Sequence, residues 1–363
     1  MKQMRAPASA RAKAMVVLAG VLLVVFGAAL IVPDIADHFA DGPGGGFIGD
    51  VSHGWSDTVL HPQYWAFLLV VGLLELQWPA RDGEGLFTVG GAQDLGWFLL
   101  TPIFTLTVFT WSLQLVGRVY EGPLQSASLN AEDALGTIPT IVIVIVVADF
   151  FLFLSHFIRH KVPPLWRFHQ VHHSQTRMSP LTDKRFHFVE PLTFIAIAII
   201  PAALLGLNLG VSRALIFATL YLTAFQHANL RWNMGIGRWL LVTPQSHRIH
   251  HSTQPQHWEH NFGAVFSVWD RLFRTHWHGV DEYPPIGIDD QAFPLERRGN
   301  PLEVVGTYAR QTVYPFRRVG QDLRAPKYSQ GRRSRQLLGG QRGGRPVTNR
   351  GLRGNQPDGV HHE

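Results

Sequence analysis

The sequence predicts an all-α integral membrane protein with about four transmembrane helices, a membrane hairpin or two further helices, and a cytoplasmic helical cap rich in histidine. Three observations predict it. Apolar residues gather in blocks with few charges, at about 15–32, 64–76, 95–116 and 138–157, with shorter ones at 192–207 and 211–225. Blocks of roughly 18–20 apolar residues are long enough to cross a bilayer. Lysine and arginine are spread unevenly around these blocks, and histidines cluster after the fourth in a chain of 363 residues with no cysteine.

The first block follows Lys2, Arg5, Arg11 and Lys13, whereas the loop 33–63 has no lysine or arginine and carries Asp34, Asp37, Asp41, Asp50 and Asp57. The positive-inside rule puts the N-terminus in the cytoplasm and this loop outside. A secretory signal peptide is the rival reading of the first block, but its apolar core is long for one and no small-residue cleavage site follows. The second block is short for a span unless Tyr64 and Trp78 sit at the interface. Four crossings return the chain to the cytoplasmic side near His160, in agreement with Arg159, Lys161 and Arg167. The last two blocks are separated by Gly206-Leu207-Asn208-Leu209-Gly210, which reads as a tight turn.

Two clusters share one spacing, His169-Gln-Val-His172-His173 and His247-Arg-Ile-His250-His251. Positions i, i+3 and i+4 of a helix share a face, so each cluster aims three imidazoles one way. His156 and His160 add an i, i+4 pair at the end of the fourth block. Eight imidazoles without thiolates suit iron, zinc, copper or nickel, and they exceed the four ligands of a structural zinc site. More than one metal ion, each with an open position, suits the count better. Asp149 lies two turns before His156 inside an apolar run, where a carboxylate is costly; it serves either to orient a metal-bound imidazole or to anchor the helix to an arginine.

Val162-Pro163-Pro164 cannot continue the helix that carries His160. Thr243-Pro244 is a start signal, N-cap followed by proline, for the helix that carries the second cluster. Both clusters must reach one site, so the chain between them begins and ends on one membrane face, as a hairpin at 192–225 allows.

The run His160-Lys-Val-Pro-Pro-Leu-Trp166-Arg-Phe-His169-Gln-Val-His172-His173-Ser174 resembles the fatty acid hydroxylase/sterol desaturase superfamily of membrane di-iron oxygenases, in particular its bacterial branch. The family pattern HxxxH, HxxHH and a later HxxHH is present in order. Arg185-Phe-His187 with Glu190, Gln226-His227-Ala-Asn229, Asn261-Phe262-Gly263 and Trp269-Asp270-Arg271-Leu-Phe273 match further, and the likeness covers about 140–280. The resemblance implies metal ligands at His156, His160, His169, His172, His173, His227, His247, His250 and His251. It implies additional or supporting roles for His187, Glu190, Asn229, Glu259 and Asn261. The chain departs from the pattern at Glu259, usually aspartate, and at Phe262, usually tyrosine; the lost hydroxyl points to packing there. His257, His260, His276 and His278 lie outside the pattern and read as surface residues.

The resemblance further implies two non-haem iron ions, O2 as co-substrate and hydroxylation or desaturation of a lipid C–H bond, with no catalytic residue beyond the ligands. No electron-carrier segment is visible, so a separate ferredoxin- or cytochrome b5-like donor with a reductase is expected. The alternatives are a non-catalytic metal-binding or transport protein and a metal-dependent lipid hydrolase. The expected organisation is membrane helices at 1–135, the catalytic domain at 136–280, an extension at 281–323 and a disordered basic tail at 324–363. That tail accounts for much of the net charge of +6 and carries no nucleic-acid motif. The expected location is a bacterial inner membrane, with the metal site and both termini cytoplasmic.

Overall fold

A computed structural model describes residues 59–119, 134–194 and 219–324. The first apolar block, most of the 192–225 hairpin and the basic tail lie outside these residues. The described residues up to Arg318 fall in one compact unit. The described chain is helical, and its only strand-like contacts are isolated bridges such as Pro79 with Leu230.

Helices α1 (Pro62–Gln77) and α2 (Val89–Val119) correspond to the second and third apolar blocks. At 16 residues, α1 is about 24 Å long, short of a hydrocarbon core of about 30 Å. Helix α3 (Thr137–Lys161) carries the fourth block. Among the described residues its stretch Ile138–Lys161 is the one helix long and apolar enough to cross a membrane. Arg159 and Lys161 lie in its last turn, where the helix dipole favours positive charge.

The helix stops where the sequence says it must. Val162 is extended, and α4 (Pro163–His173) starts at once with prolines in its first turn, where no N–H is needed. After a 3₁₀ turn at Pro180–Lys184 and the short α5 (Glu190–Phe194), the chain is described again as a helix at 219–226 that delivers His227. Helix α6 (Pro244–His250) is capped as expected: Ser246 N–H donates to Thr243 Oγ1 at 3.0 Å, with Pro244 in the first turn. Then come α7 (Val268–Leu272) and α8 (Pro301–Arg324).

One apolar core joins Tyr64, Phe67 and Val71 of α1 to Phe98 of α2 and to Tyr221 and Phe225. Beside it lies a buried polar hub. Asp94, at the start of α2, accepts from Gln175 at 2.6 Å, Ser179 at 3.0 Å, Thr182 at 2.6 Å and Arg185 at 3.1 Å. Arg185 also bonds Ser174, Glu296 and Gln311 through its terminal nitrogens, so its buried charge is paired. This hub fixes the loop after α4 to the first turns of α2.

Candidate metal centre

Nine histidines meet in two groups. His156, His160, His169, His173 and His250 form one; His172, His227, His247 and His251 form the other. Within each group one ring nitrogen per residue lies within 4.8 Å of all the others. The groups abut: the rings of His173 and His251 stack with centroids 4.1 Å apart. Both HxxHH motifs are divided between them. In α4 the i and i+4 residues, His169 and His173, join the first group while His172 turns to the second. In α6 the assignment is reversed, with His250 in the first group and His247 and His251 in the second.

The rings are aimed by bonds at their far nitrogen. His156 Nδ1–H donates to the Phe262 carbonyl at 2.9 Å, His169 to Glu190 Oε2 at 2.7 Å, His227 to the Thr223 carbonyl at 2.7 Å and His250 to the His260 carbonyl at 2.8 Å. Acceptors of this kind fix the tautomer and leave Nε2 with its lone pair free.

In the first group all five Nε2 atoms are buried without a protein partner. Orphaned buried nitrogens are costly unless something satisfies them. In the second, successive Nε2 atoms face one another: His172 and His227 at 3.1 Å, His227 and His247 at 2.9 Å, His247 and His251 at 3.2 Å. A metal–nitrogen bond of about 2.1 Å puts neighbouring ligands about 3 Å apart, so both groups fit a bound cation. An all-nitrogen donor set suits iron as well as zinc or copper.

Burial, and then repulsion between neighbouring rings, holds His169, His172, His173, His247 and His251 well below the ordinary imidazole pKa; burial pushes His250 down to about 4. These rings are therefore neutral at physiological pH, the state in which imidazole binds a metal.

Glu190 does more than receive His169. Its Oε1 accepts the His187 N–H at 3.0 Å, while Arg159 donates to Oε2, the oxygen that receives His169, at 3.3 Å. Burial raises the Glu190 pKa, and Arg159 opposes that shift. His187 itself joins neither group: its Nε2–H donates to the Thr312 carbonyl and its Nδ1 accepts from Val189.

Three other sequence expectations are corrected by tertiary contacts. Asp149 orients no imidazole and meets no arginine. It accepts from Val265 N at 2.8 Å, Phe266 N at 3.1 Å and Trp269 Nε1 at 2.8 Å, clasping α3 to the loop whose Phe262 carbonyl holds His156. Glu259 has a φ of 64° and lies exposed, paired with Lys161. His257, expected at the surface, is buried between Ser252 and Glu282.

Asn261 and Asn229 bond no metal-group histidine and tie α6 to its surroundings. Asn261 donates to the Ser246 carbonyl of α6 and accepts from Trp277 N. Asn229 accepts from Arg248, which lies fully buried on the face of α6 away from the metal groups and also reaches Glu84 at 2.9 Å. Phe262 packs as expected, its ring edge-on to His156, His160 and His250.

The sequence reading missed Asp270, which accepts from Phe262 N at 2.7 Å, Gly263 N at 2.8 Å and Thr275 Oγ1 at 2.6 Å, and so shapes the same loop. Its place inside the matched Trp269-Asp270-Arg271 stretch was the available signal.

The fatty acid hydroxylase family model matches residues 141–275, which contain all nine histidines. Ornithine lipid hydroxylase OlsE of Rhizobium tropici is 29% identical over 261 residues, 66% of this chain and 74% of that protein. Alkylglycerol monooxygenase of Xenopus tropicalis is 29% identical over 136 residues, 35% of this chain but only 28% of its own length. A cholesterol 25-hydroxylase-like protein of Danio rerio is 26% identical over 174 residues, 48% of this chain and 66% of that protein. No solved structure matches the chain. With its three histidine motifs assembled in one centre, the stretch 141–275 is the part of the chain that the fatty acid hydroxylase family model matches.

Proposed function

We propose that the two histidine groups hold two iron ions and that the chain is an O2-dependent oxidoreductase hydroxylating a C–H bond of a membrane lipid. The observation that carries this reading is the convergence of nine imidazoles, four with the tautomer fixed for Nε2 ligation, at one end of the apolar helix α3. Bound iron supplies activation of dioxygen and removal of hydrogen from an unactivated C–H bond.

The residues of the chain supply the rest. Glu190 and the carbonyls of Phe262, Thr223 and His260 aim the ligands. Phe262, Phe157 and Trp166 wall the five-histidine group with rings and keep water away from it. Lipid reaches the centre from the bilayer beside α3, and electrons come from a separate ferredoxin- or cytochrome b5-like donor on the face that carries the histidines. Arg159, Lys161 and Arg167 support a cytoplasmic location for that face, in a bacterial inner membrane.

Relatives named as hydroxylases and a monooxygenase favour hydroxylation over desaturation. Of the relatives named above, the one matched over the largest shares of both chains is named for ornithine lipid, which makes an acylated amino-acid lipid the first substrate to try. A transporter would spread its ligands along a path across the bilayer, whereas these gather at one end of one helix.

The test is oxygen uptake by the purified, iron-loaded protein in lipid nanodiscs with a reduced donor. Uptake coupled to donor oxidation and dependent on added lipid is expected. Ester hydrolysis without oxygen uptake would replace this reading with the hydrolase.

A further inference from the structure

Helix α8 lies outside the matched domain and no metal ligand sits on it. Its residues sort into three lines. Val304, Thr307, Tyr308 and Gln311 face inward and are buried. Leu302, Val305, Ala309, Val313 and Phe316 recur at intervals of three and four residues and are exposed, Leu302 at 89%. Arg310 and Arg317, seven residues apart, run beside that apolar line and are also exposed. An exposed apolar stripe bordered by arginines on one helix is the pattern of a segment lying in the plane of a membrane interface.

The seat of α8 gives the stripe its surroundings. Tyr308 packs on Trp97 of α2 at 4.5 Å between ring centroids and near Phe104 at 6.3 Å. A side chain at Gly96 would collide with Val304, so the two helices touch backbone to side chain at that point. Trp97 and Phe104 lie in the first turns of the third apolar block. Those turns stand on the same side as the histidines, because Asp94 is bonded to the loop that follows α4. The outward stripe of α8 thus continues the apolar surface of α2 at the end where a bilayer meets water.

We infer that α8 is an interfacial anchor whose stripe enters the leaflet nearest the histidine centre while Arg310 and Arg317 meet anionic headgroups. The occupant of the stripe is lipid, because arginine beside an apolar line complements a negatively charged membrane surface. The inference rests on the membrane location alone and not on oxygen chemistry.

The chain has no cysteine, so single spin labels can be placed without other changes. Labels at V305C, A309C, V313C and R317C would be read in the full-length protein in nanodiscs, with dissolved oxygen and a water-soluble nickel chelate as collision partners. At 305, 309 and 313 oxygen collisions should exceed nickel collisions, with the ratio inverted at 317. Raising phosphatidylglycerol in place of phosphatidylcholine should move the label at 313 deeper, and R310Q/R317Q should abolish that shift.

High nickel access along the whole stripe would mean a water-facing helix and overturn the inference. Exclusion of both reagents, with spin–spin broadening, would mean a second copy covers the stripe and would also overturn it. A label at 313 that ignores phosphatidylglycerol would overturn the assignment of the arginines. Iron content and lipid oxidation measured on the same samples test the proposed function separately, since either can fail while the collision pattern holds.

Discussion

At the scale of single residues, the account turns on which nitrogen of each ring is free. Glu190 makes the only side-chain acceptor bond that aims a ligand among the described residues, at His169. Replacing Glu190 with alanine frees that ring and strands the buried end of Arg159. Loss of such an orienting partner typically costs about 10–100-fold in metal affinity, and a titration with iron read by competition against a chelator should show it. His172 and His173 are neighbours in sequence but belong to different groups. His172→Ala should weaken the metal held by His227, His247 and His251 and spare the other; His173→Ala should do the reverse. Metal analysis with spectra that separate the two ions checks this, and identical losses would mean the groups act as one.

The residue scale is also where sequence reading failed most. Glu259 stands at a motif position, yet a left-handed backbone turns it outward to Lys161. Asn229 holds the Arg248 side chain and the Arg81 carbonyl, and Asn261 holds the Ser246 carbonyl of α6, roles that spacing alone cannot distinguish from bracing an imidazole.

At the scale of elements, local rules carried far. Pro163-Pro164 ends one helix and starts the next, and Thr243-Pro244 caps α6, because helix starts and stops depend on neighbours in sequence. The division of each HxxHH motif between two groups was not legible, since it depends on how α4 and α6 are set against each other and against α3. Nor was the role of Asp149, whose partners lie 116–120 residues away. Three donors on one buried carboxylate make Asp149 the clasp between α3 and the 261–269 loop. Bonds to charged groups contribute about 1.5–3 kcal/mol each. Asp149→Leu should therefore lower the unfolding midpoint clearly and, by loosening the Phe262 carbonyl, reduce iron content as well. A variant with unchanged melting in detergent would remove the clasp from the account.

At the scale of the whole molecule, the buried imidazoles make stability depend on pH. His187 and His250 are pushed down to about 4, below the value of about 6.5 they have when unfolded. Between these values the unfolded chain binds more protons than the folded one, so the metal-free protein loses stability as pH falls from about 6.5 toward 4. Each such ring contributes a slope of up to about 1.4 kcal/mol per pH unit. Glu190 and Asp270, raised by burial, act in the opposite sense above about pH 4.5, but the histidines outnumber them. Denaturant unfolding of the metal-free protein at pH 7 and pH 5.5 should show lower stability at pH 5.5, with a smaller difference when most of the histidines are replaced together.

Also at this scale, the long apolar helix α3, the histidine centre and the likeness to the fatty acid hydroxylase family were legible, because each is written in composition or in a repeated local motif. The number of crossings was not. Among the described residues one helix has the length and apolarity of a span, and α1 falls short of one.

The most direct test of the central claim is lipid mass spectrometry of cells expressing the chain or its His250→Ala variant, grown under oxygen-18 gas. The account predicts one lipid class that gains a single labelled oxygen atom with the intact chain and gains none with the variant. Unlabelled oxygen in the product, a lipid that loses its acyl chain, or an unchanged lipid profile would contradict it.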